Sequence, residues 1–454
     1  MSKPKEYSNM SKDKLMLYTF FALLAITVIT SALWSTETTP SGWNLGLTLA
    51  INAVIAVGVA VGLDVLISKV TSDATLNILS AAVFGLILTD CYTLGVPVMR
   101  TVELFPLEAP QCFYYIAAMS LIGLVVFKKA ASLLGRKYVN PAAAAKLVVM
   151  IPFVGSLLIA IDHLKSSLLG VPSLAGPLGL SAVVNGNGAA GFGNYIIACF
   201  SNASTQAPSV STSNLIQTML LDKFHGWPGG ASSIAVIVVG IVFFALAGRY
   251  VKWRITVSYL VAAAVMALLL SFAYGDSDIT VRLLFTLFVG SSIFLAFFMA
   301  TDPATTPLTY TGQIIFGVGV AVLTVLMQTY MQFFGASFVA LVIMNLTAPT
   351  LDKIGKLKAT TESKEPKLPK AKSFPVEKVK LYDCIRCGAC MRVCCHKLSP
   401  ILIKQAFDKQ DFDKLIKLNP DYCTGCGHCT FVCPARIDLR KSVLMAKSAL
   451  RGQQ

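Results

Sequence analysis

Eight cysteines near the C-terminus define the chemistry open to this chain. They form two runs, C-I-R-C-G-A-C-M-R-V-C at 384–394 and C-T-G-C-G-H-C-T-F-V-C-P at 423–434, each with the spacing C-x2-C-x2-C-x3-C. Iron in a cluster is held by soft, charged sulfur, and the x2 gaps let one tight loop wrap three thiolates around one face of an iron–sulfur cube. The fourth cysteine of each run normally crosses to the other cluster. The spacing therefore predicts one 4Fe-4S cluster on Cys384, Cys387, Cys390 and Cys433, and a second on Cys394, Cys423, Cys426 and Cys429. Two zinc sites are the alternative, since C-x2-C pairs also bind zinc. The doubled four-cysteine spacing, with Pro434 closing the second run, points to iron–sulfur instead.

A second set of candidates lies in apolar surroundings. Asp64, Asp90, Asp162 and Asp302 fall in or near hydrophobic stretches, and acids inside membrane segments usually mark ion paths. Asp302 belongs to T-D-P-A-T-T-P at 301–307, and a related break, N-P-A-A-A, occupies 140–144. Asn or Asp before proline breaks a helix and frees backbone groups. Paired breaks in two halves of a membrane protein often mark a binding site; two ordinary turns are the plainer reading. Asp302 is the ion-coupling candidate, while Asp64 and Asp90 read more simply as residues at span ends.

These residues need elements to position them. Of 454 residues 13% are charged and 55% hydrophobic, against about 25% charged in a soluble protein. An α-helical polytopic membrane protein with a soluble tail is expected. Ten apolar stretches are near the length that a bilayer requires: 16–34, 47–68, 77–99, 112–127, 142–161, 231–248, 255–274, 281–300, 313–333 and 335–350. The net charge of +15 resides on tails and alternate loops. That pattern places both termini in the cytoplasm by the positive-inside rule, in an inner (cytoplasmic) membrane, and nothing in it resembles a nucleic-acid motif. A cytoplasmic tail also suits reduced thiols better than disulfides. The segment 162–230, rich in Gly, Ser and Asn, would then lie mostly outside. Its length points to function or re-entry. The expected division is a tail at 1–14, a two-half transmembrane domain of about ten helices at 15–350, a Lys/Pro-rich linker at 351–380, and a small two-cluster ferredoxin-like α domain at 381–450. Short helices are expected between the cysteine runs, and a basic one at 437–450.

The membrane part resembles RnfD, a membrane component of the Rnf electron-transport complexes, and the related NqrB of the sodium-pumping NADH:quinone reductase. The stretches that carry the likeness are V-N-P-A-A-A-A-K at 139–146, V-K-W-R-I-T-V-S-Y-L at 251–260, F-F-M-A-T-D-P-A-T-T-P at 297–307 and M-N-L-T-A-P-T-L-D at 344–352. The tail resembles the ferredoxin-like part of RnfC through C-I-R-C-G-A-C-M-R-V-C, L-S-P-I-L-I and C-G-H-C-T-F-V-C-P-A-R-I, without the NADH-binding domain of RnfC. Cys395 stands where ferredoxins usually carry proline. The membrane resemblance implies a flavin, FMN joined through its phosphate to a threonine, with riboflavin as a further flavin. The best register puts attachment at Thr212 in S-V-S-T, with Ser204 in S-N-A-S as the second candidate. Neither keeps the family's glycine.

Together these readings predict a membrane component of an ion-translocating electron-transport complex. It would relay electrons from a soluble ferredoxin or flavoprotein, through two 4Fe-4S clusters, toward other Rnf-type membrane proteins. Arg386, Arg392, His396 and His428 would offer a basic docking face to an acidic donor. The alternatives are a redox-sensing channel or transporter, and a quinone-linked redox protein without ion pumping.

Overall fold

The computed structural model describes residues 7–8, 10–35, 42–70, 78–92, 110–130, 137–150, 229, 232–274, 279–288, 292–331, 336–355 and 382–451. Thr212, Ser204, Asp162 and most of the linker lie outside them.

The membrane part is helical. In order it contains α1 (Lys12–Trp34), α2 (Leu45–Val70), α3 (Ile78–Cys91), α4 (Gln111–Ile122) running on into a π-helical segment (Gly123–Ala130), α5 (Pro141–Met150), α6 (Ser233–Ala247), α7 (Trp253–Tyr274), α8 (Ile279–Phe288), α9 (Ser292–Met299), α10 (Tyr310–Met331) and α11 (Ala336–Ile354). Each of the ten apolar stretches contains helix. Among the described residues seven helices are long and apolar enough to cross a bilayer, with an eighth if the bent pair Arg282–Phe288 and Ser292–Met299 counts as one span. Over the third and fifth stretches the described helix is shorter, as α3 and α5.

The helix faces explain themselves. On α7, Ile255, Tyr259, Ala263 and Ala267 face inward, each at most 1% exposed. Val257, Val261, Val265 and Leu269 recur every four residues on the opposite side and are exposed. A helix apolar on both faces, with backbone bonds satisfied internally, belongs in lipid. Helices α1–α5 pack among themselves, as do α6–α11, and contacts of α1 with α6 and of α5 with α11 join the groups. Ala142, Ala143, Ala144 and Ala145 are all buried, so the small side chains after Pro141 let α5 sit deep in the bundle.

The cysteine tail adds α12 (Ala389–Arg392), α13 (Pro400–Asp408), α14 (Phe412–Lys417), α15 (His428–Phe431) and α16 (Leu439–Arg451). Helix α16 carries Leu439, Val443, Ala446 and Leu450 on one buried face, the i, i+4, i+7, i+11 pattern of an amphipathic helix on a small core. Val443, Ala446 and Leu450 of that face cluster with Leu398, Ile403, Ala406 and Leu415.

Candidate functional site

The two cysteine runs adopt the same backbone path. Gly388 and Gly427 hold φ at 74° and 84° and start the short helices α12 and α15, a left-handed turn that glycine makes without steric cost. Arg386 and Gly425 are left-handed at 56° and 73°, and Lys397 and Arg436 at 53° and 55°. The x2 and x3 spacings thus become two matched loops, and the crossing of fourth cysteines follows. Cys384, Cys387, Cys390 and Cys433 line one cavity with Ile401, Pro434 and Leu439. Cys394, Cys423, Cys426 and Cys429 line the other, joined by Cys395 and His396. All eight expected cysteines are brought together in the expected fours, and Cys395 is an additional thiol.

Both cavities suit an iron–sulfur cube. Both are partly open to solvent, and no Asp or Glu lines either. Among the described residues no group of three or more His, Cys, Asp or Glu is arranged to hold a single metal ion. Four soft thiolates per cavity, in the doubled ferredoxin spacing, favour a cluster over zinc or a hard cation. Backbone amides add donors to sulfur: Arg386 N donates to Cys384 Sγ at 3.4 Å and Leu398 N to Cys394 Sγ at 3.3 Å. Burial pushes the Cys387 and Cys394 thiols up to about 11, and those of Cys429 and Cys433 up to about 12. Ionisation at neutral pH therefore requires the positive charge of bound iron.

The first cavity is seated on the membrane domain. Phe431 O and Pro434 O, on either side of Cys433, accept from Ser8 N and Lys12 N, both at 2.9 Å. Tyr250 Oη donates to Val432 O at 3.3 Å and Tyr7 Oη to Arg436 O at 3.1 Å. Arg392 Nη2 donates to Val251 O and Cys387 O, both at 3.3 Å. Arg386 Nη2 pairs with Asp352 Oδ2 at 3.3 Å, with side-chain exposures of 11% and 10%. Arg386 and Arg392 are thus turned toward the membrane domain, not toward a soluble partner, because those carbonyls and that carboxylate lie beneath them. His396 is buried beside the second cavity and His428 is half-buried.

Beneath the module lies the T-D-P-A-T-T-P turn, and the two helix breaks meet there. Asn140 caps α5, its Oδ1 accepting from Ala142 N and Ala143 N at 3.0 and 3.3 Å, while Nδ2 donates to Met299 O at 3.3 Å. Asp302 accepts from Ala304 N at 3.1 Å and from Thr305 Oγ1 at 3.3 Å. Both carboxylate oxygens of the ion-coupling candidate therefore hold the turn's own shape. Lys252, 1% exposed, donates to Pro303 O, Thr306 O and Thr306 Oγ1 at 2.9, 3.0 and 2.8 Å. Asp352 Oδ1 accepts from Leu308 N at 2.6 Å and from Thr309 N at 3.3 Å. Leu308 itself belongs to one buried cluster with Cys390 and Cys433. Asp64 is paired with Lys129 at 2.6 Å. Asp90 is fully buried and accepts from Thr27 Oγ1 at 2.9 Å. Sequence reasoning missed Lys252, Leu308 and Asp352 as parts of the site. Lys252 and Asp352 do stand in quoted stretches, but their partners lie tens of residues away.

Comparison with known proteins agrees with this architecture. Residues 1–360 match the NQR2, RnfD, RnfE family, and residues 383–437 match a 4Fe-4S dicluster domain. The D-type subunit of the ion-translocating oxidoreductase complex of Ectopseudomonas mendocina is 31% identical over 164 residues, 34% of this chain and 48% of the relative. The chain thus spans about half the length of that relative. The D-type subunit of the Na(+)-translocating ferredoxin:NAD(+) oxidoreductase complex of Acetobacterium woodii is 25% identical over 321 residues, 70% of this chain and 84% of the relative. Its counterpart in the proton-translocating ferredoxin:NAD(+) oxidoreductase complex of Clostridium ljungdahlii is 25% identical over 276 residues, covering 60% and 72%. With the family match running through the whole helical part and the dicluster match over the paired cysteine cavities, this chain is a multi-pass membrane protein that belongs to the NQR2, RnfD, RnfE family and bears a C-terminal 4Fe-4S dicluster domain.

Proposed function

We propose that this chain is a membrane component of an Rnf-type ion-translocating electron-transport complex, taking electrons from a soluble ferredoxin or flavoprotein toward membrane partners. The observation that carries this reading is the pair of four-cysteine cavities in a module hydrogen-bonded to the membrane domain. When bound, two 4Fe-4S clusters supply one-electron transfer. The chain's own residues hold the thiols in place, bury Cys387, Cys390 and Cys433 of the first cavity, and fasten it to the turn at 301–309. The eight cysteines are the ligands in the expected two sets. The module corresponds to the ferredoxin-like part of RnfC, joined by the 351–380 linker to the domain at 15–350. It faces the cytoplasm at the inner membrane, with the N-terminal segment around Tyr7 and Ser8 beneath it. Lysines on the tails and alternate loops support that orientation. FMN at Thr212, or at Ser204, would continue the electron path. Asp302 serves ion coupling through the shape of its turn, which its two hydrogen bonds maintain.

The test is anaerobic purification with iron, acid-labile sulfide and flavin measured together. The expected result is about eight iron and eight sulfide per chain, with protein-bound flavin lost in Thr212→Ala. Absence of iron would overturn the electron-transfer reading. Full iron without any flavin would leave a cluster-bearing conduit.

A further inference from the structure

The second cavity contains five thiols where the first contains four. Cys395 occupies the place that Pro434 fills in the other run, one residue after the crossing cysteine. Matched φ angles at Lys397 and Arg436, two residues further on, show that the backbone there is equivalent. Cys395 and Pro434 each line their own cavity. Proline in that wall is chemically inert toward iron, whereas cysteine is a ligand. The Cys395 side chain is 7% exposed, and its Sγ lies 3.8 Å from Cys426 Sγ.

We propose that Cys395 is a reserve ligand of the second cluster, able to take the iron that Cys426 holds. The proposal rests on the dicluster reading above. Its partner is Cys426 and not the adjacent Cys394 for two reasons. Cys426 is the thiol near Cys395, and it is the solvent-exposed one of its set, hence the first to meet oxidants or competing ligands. Cys394 is half-buried and anchored by the Leu398 amide. The exchange is balanced without an oxidant. The Cys395 thiol gives up its proton and its sulfur bonds to iron. The bond from iron to Cys426 breaks, and the Cys426 sulfur takes a proton. No electron changes hands. The plain alternative makes Cys395 a small buried side chain that only fills space.

Iron content and the electron paramagnetic resonance of the reduced protein separate these roles. Four variants of the full chain are needed: Cys395→Ala, Cys426→Ala, the combination of both, and Cys429→Ala. Wild type and Cys395→Ala should hold about eight iron, and Cys426→Ala should keep about eight. The combined variant should fall twofold, to about four, while retaining the signal of the first cluster, which shows that the chain has folded. Cys429→Ala should also fall to about four, because the spare thiol lies against Cys426. A fall to about four in Cys426→Ala alone would overturn the proposal and leave the dicluster reading intact. Wild-type protein without iron would overturn the dicluster reading and the proposal with it.

Discussion

The two cysteine cavities share a backbone and differ in their surroundings. Cys387, Cys390 and Cys433 of the first are 7–8% exposed while Cys384 at its edge is exposed, and residues beside them bond to the N-terminal segment, the turn after α6 and the end of α11. In the second, Cys426 is exposed and Cys394, Cys423 and Cys429 are half-buried, with Thr424 and Arg440 open to solvent at the rim. A repeated local motif has been placed once against a membrane domain and once against water. Spacing sets the loops; the partner elements set what each loop can meet. An inward-facing and an outward-facing centre in one small module is the arrangement that a relay between a soluble donor and a membrane complex requires.

The largest test of this asymmetry removes one ligand from each cavity. Cys390→Ala and Cys429→Ala should each lower iron from about eight to about four per chain. Cys390→Ala should also loosen the module from the membrane domain more than Cys429→Ala does, because Cys390 is buried in one cluster with Leu308 while Cys429 is only half-buried at its edge. Limited proteolysis near residues 382–392 would report this, and equal loosening by both variants would erase the distinction.

The next largest effect concerns the ion pair. Asp352→Asn leaves Arg386 buried beside a neutral group, and breaking such a pair costs about 3 kcal/mol. Amide hydrogen exchange at residues 384–392 should rise by a corresponding factor. Arg440→Gln at the rim of the second cavity should change stability by no more than about 0.5 kcal/mol. Comparable effects from the two variants would mean that the first cavity is not the anchored one.

A smaller effect comes from the backbone. Arg386 holds a left-handed φ of 56° where the other run has Gly425, a strain of about 1 kcal/mol for a side chain with a Cβ. Arg386→Gly should relieve that strain while losing the pair with Asp352, a net weakening of docking by about 2 kcal/mol, with iron content unchanged. Gly425→Arg should cost about 1 kcal/mol at the second cavity and leave docking as it is. Loss of iron in Arg386→Gly would show that the arginine serves the cluster itself.

The smallest effect is in thiol reactivity after iron removal. Burial holds Cys433 up to about 12 and Cys387 up to about 11 in the folded module, above the ordinary value of 9.0. A raised pKa favours the protonated thiol in the fold. The stability it contributes is therefore full below pH 9 and is lost as pH rises toward 11–12. Alkylation followed position by position by mass spectrometry should rise at Cys387 and Cys433 over that interval, with Cys426 reacting ahead of both because it is exposed. Uniform reaction at all eight positions near pH 9 would contradict the difference in burial.

Much of this was legible before any coordinates. The ten apolar stretches all contain helix, because a run of apolar residues in lipid has no better way to satisfy its backbone. The basic terminal helix expected at 437–450 is Leu439–Arg451. The role of Asp302 was less legible. Its setting before proline suggested a membrane acid, yet its oxygens bond to Ala304 and Thr305, a capping geometry set by local turn shape. The basic residues beside the cysteines were legible as charges but not as directions. Arg386 and Arg392 turn inward because Asp352 and Val251 O, from elements far away in sequence, lie under them.

The sequence by itself determined the identity and local geometry of the thiol loops. Cysteines three residues apart, with left-handed turns at Gly388 and Gly427 between them, are close in any fold that forms those turns. Only the tertiary structure decided that the first loop rests on Leu308, Asp352 and the N-terminal segment, that Asn140 of one helix break touches Met299 beside the other, and that Cys395 comes within 3.8 Å of Cys426. Those contacts join residues from tens to hundreds of positions apart. They depend on which helices pack together, and spacing along the chain carries no record of that choice.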